Sequence, residues 1–320
     1  MYEWIAKLTA GEGRGWLWQK ALVRLPVRVI FGLCSMLAFV AFLAARKGIM
    51  SRISSNMTDL LGPMSTAQLQ SLTRQYVRNA LFTLYEIIFL STRLPQLAAK
   101  LFQVDGEAHL EEALKLANGK GIIVYTPHVG NFFYYYWYLT RKYDCLTVAS
   151  AGSPELRPMY LQFQAMGCQG LDYDSMPPLE LYRTLKKHVN RGGVVFLLGD
   201  FWRPSFPVSR FFGRPTRTPE GAAMLALEHQ VPIVPMHGYR GWDGKHRLVF
   251  HAPLVYSHSN ALNGRQARAE VNVELNRFME NVIREHPASW FYWFNAHERW
   301  EREADARDVG DSKLVERAVG

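Results

Sequence analysis

Apolar and polar positions change their period along the chain. From Val29 to Ala45 runs VIFGLCSMLAFVAFLAA, about seventeen residues without a charge, between Arg24 and Arg28 on one side and Arg46 and Lys47 on the other. That is marginal for a membrane span, and Leu25 to Val27 with snorkelling arginines extend it to about 20 residues. Three readings stand: a spanning helix, a helix in the membrane interface, and an apolar core helix. A cleaved signal peptide fits worse, because the run is long and Arg46-Lys47 follows directly. Basic residues on both flanks leave the orientation open. Trp4, Trp16 and Trp18, set among basic residues, suit the headgroup layer.

Residues 51–104 read as helices with few breaks. Leu69, Leu72, Tyr76, Leu81 and Leu84 recur at roughly helical spacing, and Ser65-Thr66-Ala67-Gln68 has the form of a capping box. Then the period switches. The pattern predicts a helix from about Glu107 to Ala117, a buried strand at Ile122 to Tyr125, a helix after Gly130 and a strand at Leu146 to Ala149. Helices near Pro158 to Met166 and Pro178 to Asn190 follow, then a buried strand, Val194 to Asp200. A helix at Pro219 to His229, strands in PIVPMHGYR and HRLVFHAPL, a loop rich in Asn and Ser, and a long helix from about Arg265 to Glu285 complete the series. Such alternation predicts an α/β fold: an open mixed or parallel sheet flanked by helices. The expected organisation is a membrane-anchoring segment at 1–50, a helical region at 51–104 packed on an α/β domain at 105–300, and a charged tail at 301–320.

With 48% hydrophobic and 20% charged residues, the chain can bury a large core, which excludes a disordered protein. Its net charge of +9 points to an anionic partner: nucleic acid, an anionic membrane face or an acidic carrier protein. No nucleic-acid motif is recognisable and the apolar run argues against that class, so no nucleic-acid partner is expected. Cys34, Cys145 and Cys168 form no CxxC and no zinc spacing. Neither a disulfide framework nor a metal site is expected.

The sharpest local feature is TPHVGNF, Thr126 to Phe132, where a buried strand gives way to a helix. Ligands of open α/β sheets bind at the carboxyl ends of strands, so His128 stands where reactive groups stand. Gly130 would permit close approach of a substrate or helix terminus, and Asn131 can cap the helix or donate a hydrogen bond. Asp200 ends the next strongly buried strand and can pair with His128, fixing its tautomer as a general base requires. Arg203, Arg210, Arg214 and Arg217, interleaved with aromatics and prolines, suit phosphate or carboxylate groups. Blander roles are a histidine held in a turn, an aspartate capping a loop or pairing with Arg203, and solvated surface arginines. A metal-dependent hydrolase is disfavoured, since His128 has no ligand residue at i+3 or i+4.

PHVGNF, the GD strand end, RFFGRPTRTPEGAAMLALEHQVPIVPM and the terminal WFYWFNAHERW together resemble the lipid A lauroyl/myristoyl acyltransferases and the related phosphatidylinositol mannoside acyltransferases. The likeness covers roughly Leu25 to Trp300, and FFG-x-P-x-x-T-P-x-G followed by VPIVP is its most specific part. It implies an enzyme at the inner membrane, anchored by an N-terminal helix, with its catalytic domain on the cytoplasmic side. Such an enzyme moves a fatty acyl chain from acyl carrier protein or acyl-CoA to a hydroxyl or amine of a glycolipid or other lipid-like acceptor, with no cofactor beyond the thioester. One position departs from the family pattern of His, four residues, then Asp or Glu: here it holds Phe133. Either Asp200 replaces that carboxylate, or the chain is a catalytically silent relative that binds lipid or a partner enzyme. Backbone N–H groups near Gly130, or an arginine, would stabilise the oxyanion. Tyr134 to Tyr136 could line an acyl groove or belong to the core. The terminal block lacks the basic pattern usual in the lipid A enzymes, so the acceptor need not be lipid A.

Overall fold

A computed structural model describes residues 25–45, 47–150, 152, 157–241, 243–256 and 264–302. The tryptophan-bearing segment before residue 25, the Asn- and Ser-rich loop and nearly all of the expected charged tail lie outside the described residues. Among the described residues seven strands form one sheet: β1 (Phe102–Asp105), β2 (Ile122–Thr126), β3 (Cys145–Ala149), β4 (Gly170–Asp172), β5 (Val194–Leu198), β8 (Ile233–Arg240) and β9 (His246–Phe250). Their order is β1-β9-β8-β2-β5-β3-β4, and every pair is parallel except β8 with β9. The central strand β2 is buried at every position, as expected for a parallel strand covered on both faces. The α/β fold expected from the alternation is therefore the fold observed.

Helices cover the sheet: α1 (Val27–Ala44), α2 (Ile49–Leu61), α3 (Thr66–Tyr85), α4 (Leu94–Leu101), α5 (Ala108–Leu116), α6 (Phe132–Thr140), α7 (Arg157–Ala165), α8 (Pro178–Asn190), α9 (Gly221–His229) and α10 (Gly264–Glu285). Ser65 and Gln68 close both bonds of the capping box at the start of α3. Met50, Ile53 and Met57 of α2 share a core with Ile123 of β2 and with Trp290. The helical region is thus continuous with the sheet domain.

Several short elements, β4 among them, depart from the expected pattern. A π-helical turn at Glu86–Leu90 follows α3, and β1 lies inside the segment expected to be all helix. Four residues of β1 pair with β9, Phe102 with His246 at the start, so the boundary placed at 105 cuts a strand from its own sheet. A separate hairpin, β6 (Val208–Phe211) with β7 (Arg214–Arg217), turns through Phe212 and Gly213, both at positive φ as a two-residue type I′ turn requires. Short strands of three or four residues carry too little periodicity to stand out from a loop.

Helix α1 buries one stripe, Ile30, Cys34, Ala38 and Phe42, at a spacing of four. Its other faces remain apolar and open, with Met36, Val40 and Leu43 more than half exposed (56%, 55% and 54%). It is long and apolar enough to cross a membrane. After α10 the described residues make three 3₁₀ turns, Pro287–Ser289, Phe291–Phe294 and Ala296–Arg299, which return over the carboxyl edge of the sheet.

Candidate active site

Strands β2 and β5 are parallel neighbours in register, Thr126 beside Leu198. His128 stands two residues beyond the end of one, and Asp200 two beyond the other. Equal overhangs from adjacent parallel strands bring the two side chains together. His128 Nδ1 lies 2.6 Å from Asp200 Oδ1, and the His128 backbone N–H donates to both carboxylate oxygens at 3.0 and 3.1 Å. A carboxylate only accepts, so the imidazole carries its proton on Nδ1 and leaves the Nε2 lone pair free for a base's work.

Asp200 is almost wholly buried and would not remain charged there alone. Burial by itself raises its carboxyl pKa; the net shift is downward, because the charge and hydrogen bond of His128, the charge of Arg299 and the Trp290 N–H outweigh it. Trp290 Nε1 donates to Oδ2 at 2.7 Å, and Arg299 Nη1 donates to the Asp200 carbonyl at 3.3 Å. The Arg299 guanidinium also lies over the rings of Trp290 and Tyr292, at 5.2 and 4.7 Å. The Tyr292 hydroxyl reaches to 3.4 Å from His128 Nε2. Trp290, Tyr292 and Arg299 had been legible only as part of an aromatic-rich block, without roles.

Gly130 and Asn131 shape the loop. At φ +68°, a Cβ on Gly130 would come within 2.1 Å of the Tyr135 hydroxyl and 2.7 Å of the Gly238 carbonyl oxygen. The Gly130 N–H donates to Ser289 O at 2.9 Å, so this one of the backbone N–H groups in the loop is engaged within the protein. Asn131 caps α6, accepting from Tyr134 N, and donates through Nδ2 to Glu86 Oε2 at 2.9 Å. Glu86 was not foreseen. It lies fully buried on the π-helical turn, where His246 Nε2 donates to Oε1 at 2.9 Å, Arg240 donates to Oε2, and the Tyr134 hydroxyl donates to its carbonyl at 2.8 Å. The only local signal was a single carboxylate within the apolar run LFTLYEIIFL.

A cavity of about 1080 Å³ adjoins the pair, just above the usual range for ligand pockets. His128, Phe132, Phe133, Phe163, Leu185 and Tyr292 are among its mostly apolar walls. Phe133 stacks on Phe132 at 4.8 Å and packs at a tilt against Phe163 at 5.0 Å, so the position at which the resemblance led a carboxylate to be expected forms part of a hydrophobic wall. Tyr136 also lines the cavity, whereas Tyr134 and Tyr135 are wholly buried.

The four arginines do not assemble here. None lines the cavity, and each guanidinium is held by a nearby acceptor instead. Arg203 donates to Asp174 and Ser150, Arg210 to the Gly213 carbonyl, Arg214 through both Nη atoms to Asp59, and Arg217 to Glu301 and the Phe206 carbonyl. The hairpin directs the last three to separate partners, and Arg203 sits in the loop before it.

A histidine with a free Nε2, held by a buried carboxylate beside an apolar cavity, can deprotonate a hydroxyl next to a long hydrocarbon substrate. The chain matches the family model described as bacterial lipid A biosynthesis acyltransferase over residues 13–302. Phosphatidylinositol mannoside acyltransferase of Mycobacterium tuberculosis is 30% identical over 298 residues, spanning 86% of this chain and 84% of that protein. Its namesake in Mycolicibacterium smegmatis is 27% identical over 300 residues, with 88% of each chain covered. The protein belongs to the bacterial lipid A biosynthesis acyltransferase family and is an acyltransferase acting on lipid-like acceptors.

Proposed function

We propose that this enzyme moves a fatty acyl chain from acyl carrier protein or CoA to a hydroxyl of a glycolipid at the cytoplasmic face of the inner membrane. The observation that carries the reading is the His128–Asp200 pair opening on the large apolar cavity. Nε2 of His128 takes the proton of the acceptor hydroxyl as its oxygen attacks the thioester carbonyl, and the Tyr292 hydroxyl marks where that oxygen sits. Collapse of the tetrahedral intermediate breaks the C–S bond, and the imidazolium returns the proton to the departing sulfur. Asp200 holds the tautomer and stabilises the imidazolium. A glycolipid acceptor is favoured because the similar proteins are named for phosphatidylinositol mannoside. Purified protein given palmitoyl-CoA or palmitoyl acyl carrier protein, with phosphatidylinositol mannosides as acceptor, should release thiol and yield a product heavier by one acyl group. Thioester left intact by the folded enzyme with either donor would overturn the reading.

Phe133→Ala should leave acyl transfer running and shift the preferred chain length upward by widening the cavity wall. Competition between thioesters of different length, read by mass spectrometry, measures this. An unchanged profile would place the acyl chain elsewhere in the cavity.

Membrane attachment rests on α1. A soluble core helix buries most of its surface, and this one leaves its apolar faces open beyond the single docked stripe. Replacing Met36, Val40 and Leu43 together by Lys should release much of the protein from membranes in a flotation assay. The docked stripe is untouched, so the fold should persist, and residual binding through basic surface is allowed. Undiminished flotation of the folded variant would remove α1 as the anchor.

A further inference from the structure

Three imidazoles distant in sequence meet where β8, the end of β9 and the C-terminus of α10 come together. His237 lies on β8, His251 directly follows β9, and Glu285 and His286 end α10 and begin the loop after it. One donor atom each from His237, Glu285 and His286 lie within 4.8 Å of one another. His237 Nδ1 is 3.0 Å from His251 Nε2, and His286 Nε2 is 3.8 Å from Glu285 Oε1. The His286 ring stacks on Tyr239 at 4.0 Å, which fixes its plane.

We propose that His237, Glu285 and His286 bind a divalent transition-metal ion of the zinc class, with His251 orienting His237 from behind. Two imidazole nitrogens and one carboxylate oxygen are a donor set suited to zinc and its neighbours in the first transition row. An Nδ1–H of His237 donated to His251 leaves Nε2 for the ion, the arrangement in which a ligating histidine is held by a hydrogen bond through its other nitrogen. A hydrogen-bonded histidine pair alone accounts for His237 and His251 but not for His286, whose buried Nε2 has no hydrogen-bond partner. A metal ion satisfies that nitrogen. The observed separations exceed the roughly 3.4 Å between donors of a tetrahedral zinc site, and Glu285, with an exposed side chain, can swing inward to close them. Its exposed edge also provides an entry path.

The ion would be structural, and its site leads straight to the reacting pair. His286 precedes the turn Pro287–Ser289, in which Ala288 O accepts from Asn79 and Ser289 O accepts from the Gly130 N–H. Next comes Trp290, the donor to Asp200. An ion at His286 pins the start of the segment that braces His128 and Asp200. The inference stands on the histidine geometry and not on the reaction proposed above.

Full-length protein stripped with a chelator and titrated with Co²⁺ should develop visible d–d bands saturating at one ion per chain. Zn²⁺ should displace the Co²⁺ and raise Tm by about 5 °C, as expected for a ligand that binds only the native state. Glu285→Ala, at an exposed position that should not disturb folding, and His286→Ala should each weaken Co²⁺ binding at least tenfold and remove most of the Zn²⁺ shift. The proposal fails if wild-type protein shows neither bands nor a shift. It fails equally if Glu285→Ala retains full binding, since the ion would then sit elsewhere. Should His286→Ala not fold, Glu285→Ala alone decides.

Discussion

Asp200→Asn is expected to lower turnover by about 10² to 10⁴ while preserving the fold, and His128→Ala to lower it at least as far. An amide has one oxygen where the carboxylate has two. It cannot serve the His128 backbone N–H, the Nδ1–H and the Trp290 N–H together, and its NH₂ favours the wrong imidazole tautomer. Arg299 bonds the Asp200 backbone carbonyl, which the substitution leaves in place. The double variant should be little worse than His128→Ala, because residues working as one unit are not additive. Single-turnover acyl transfer beside a thermal melt of each variant separates chemistry from folding. Full activity in both single variants would remove the pair from the reaction and place the chemistry at another site.

Glu86→Ala should be the most destabilising single change at the site, by about 3–5 kcal/mol, because it leaves the buried Arg240 cation without its counter-charge. Urea unfolding measures this, and a loss below about 1 kcal/mol would show that the network contributes little. Stability should also vary with pH through this residue. Burial alone raises the Glu86 carboxyl; Arg240, His246 and Asn131 more than reverse that and bring it from 4.5 to about 2. A depressed folded-state pKa means that the stabilisation is fully present above the unfolded value near 4.5. It is lost as pH falls from there toward about 2. Glu86→Gln should flatten the acid limb of the stability curve in that window, and a limb unchanged in the folded variant would assign it to other carboxylates.

The buried run of β2, the capping box at Ser65 and the strand ends bearing His128 and Asp200 were legible because each is a local pattern. Burial on both faces yields a continuous apolar run, and a strand end is marked where that run stops. Even the pairing of His128 with Asp200 followed from local reading, once both were placed at the same edge of one sheet. The arginine cluster read as a unit because its members are close in sequence. It came apart because Arg203 lies before the hairpin and, within the hairpin, Arg214 and Arg217 fall on opposite faces, where Asp59 holds the first and Glu301 the second.

What the sequence by itself determined was the class of fold, the apolar character of α1 and the two residues at the carboxyl edge. Tertiary structure alone decided their surroundings. Trp290 reaches Asp200 across 90 positions, Arg240 reaches Glu86 across 154 and His246 reaches Glu86 across 160. Phe133 could be read as a missing carboxylate, but only the packing against Phe132 and Phe163 shows it as a cavity wall. Periodicity reports which face of an element is buried and carries no information on what meets that face. Pairings between remote segments depend on how the whole sheet and its helices close, and a pattern read over ten or twenty residues does not contain that.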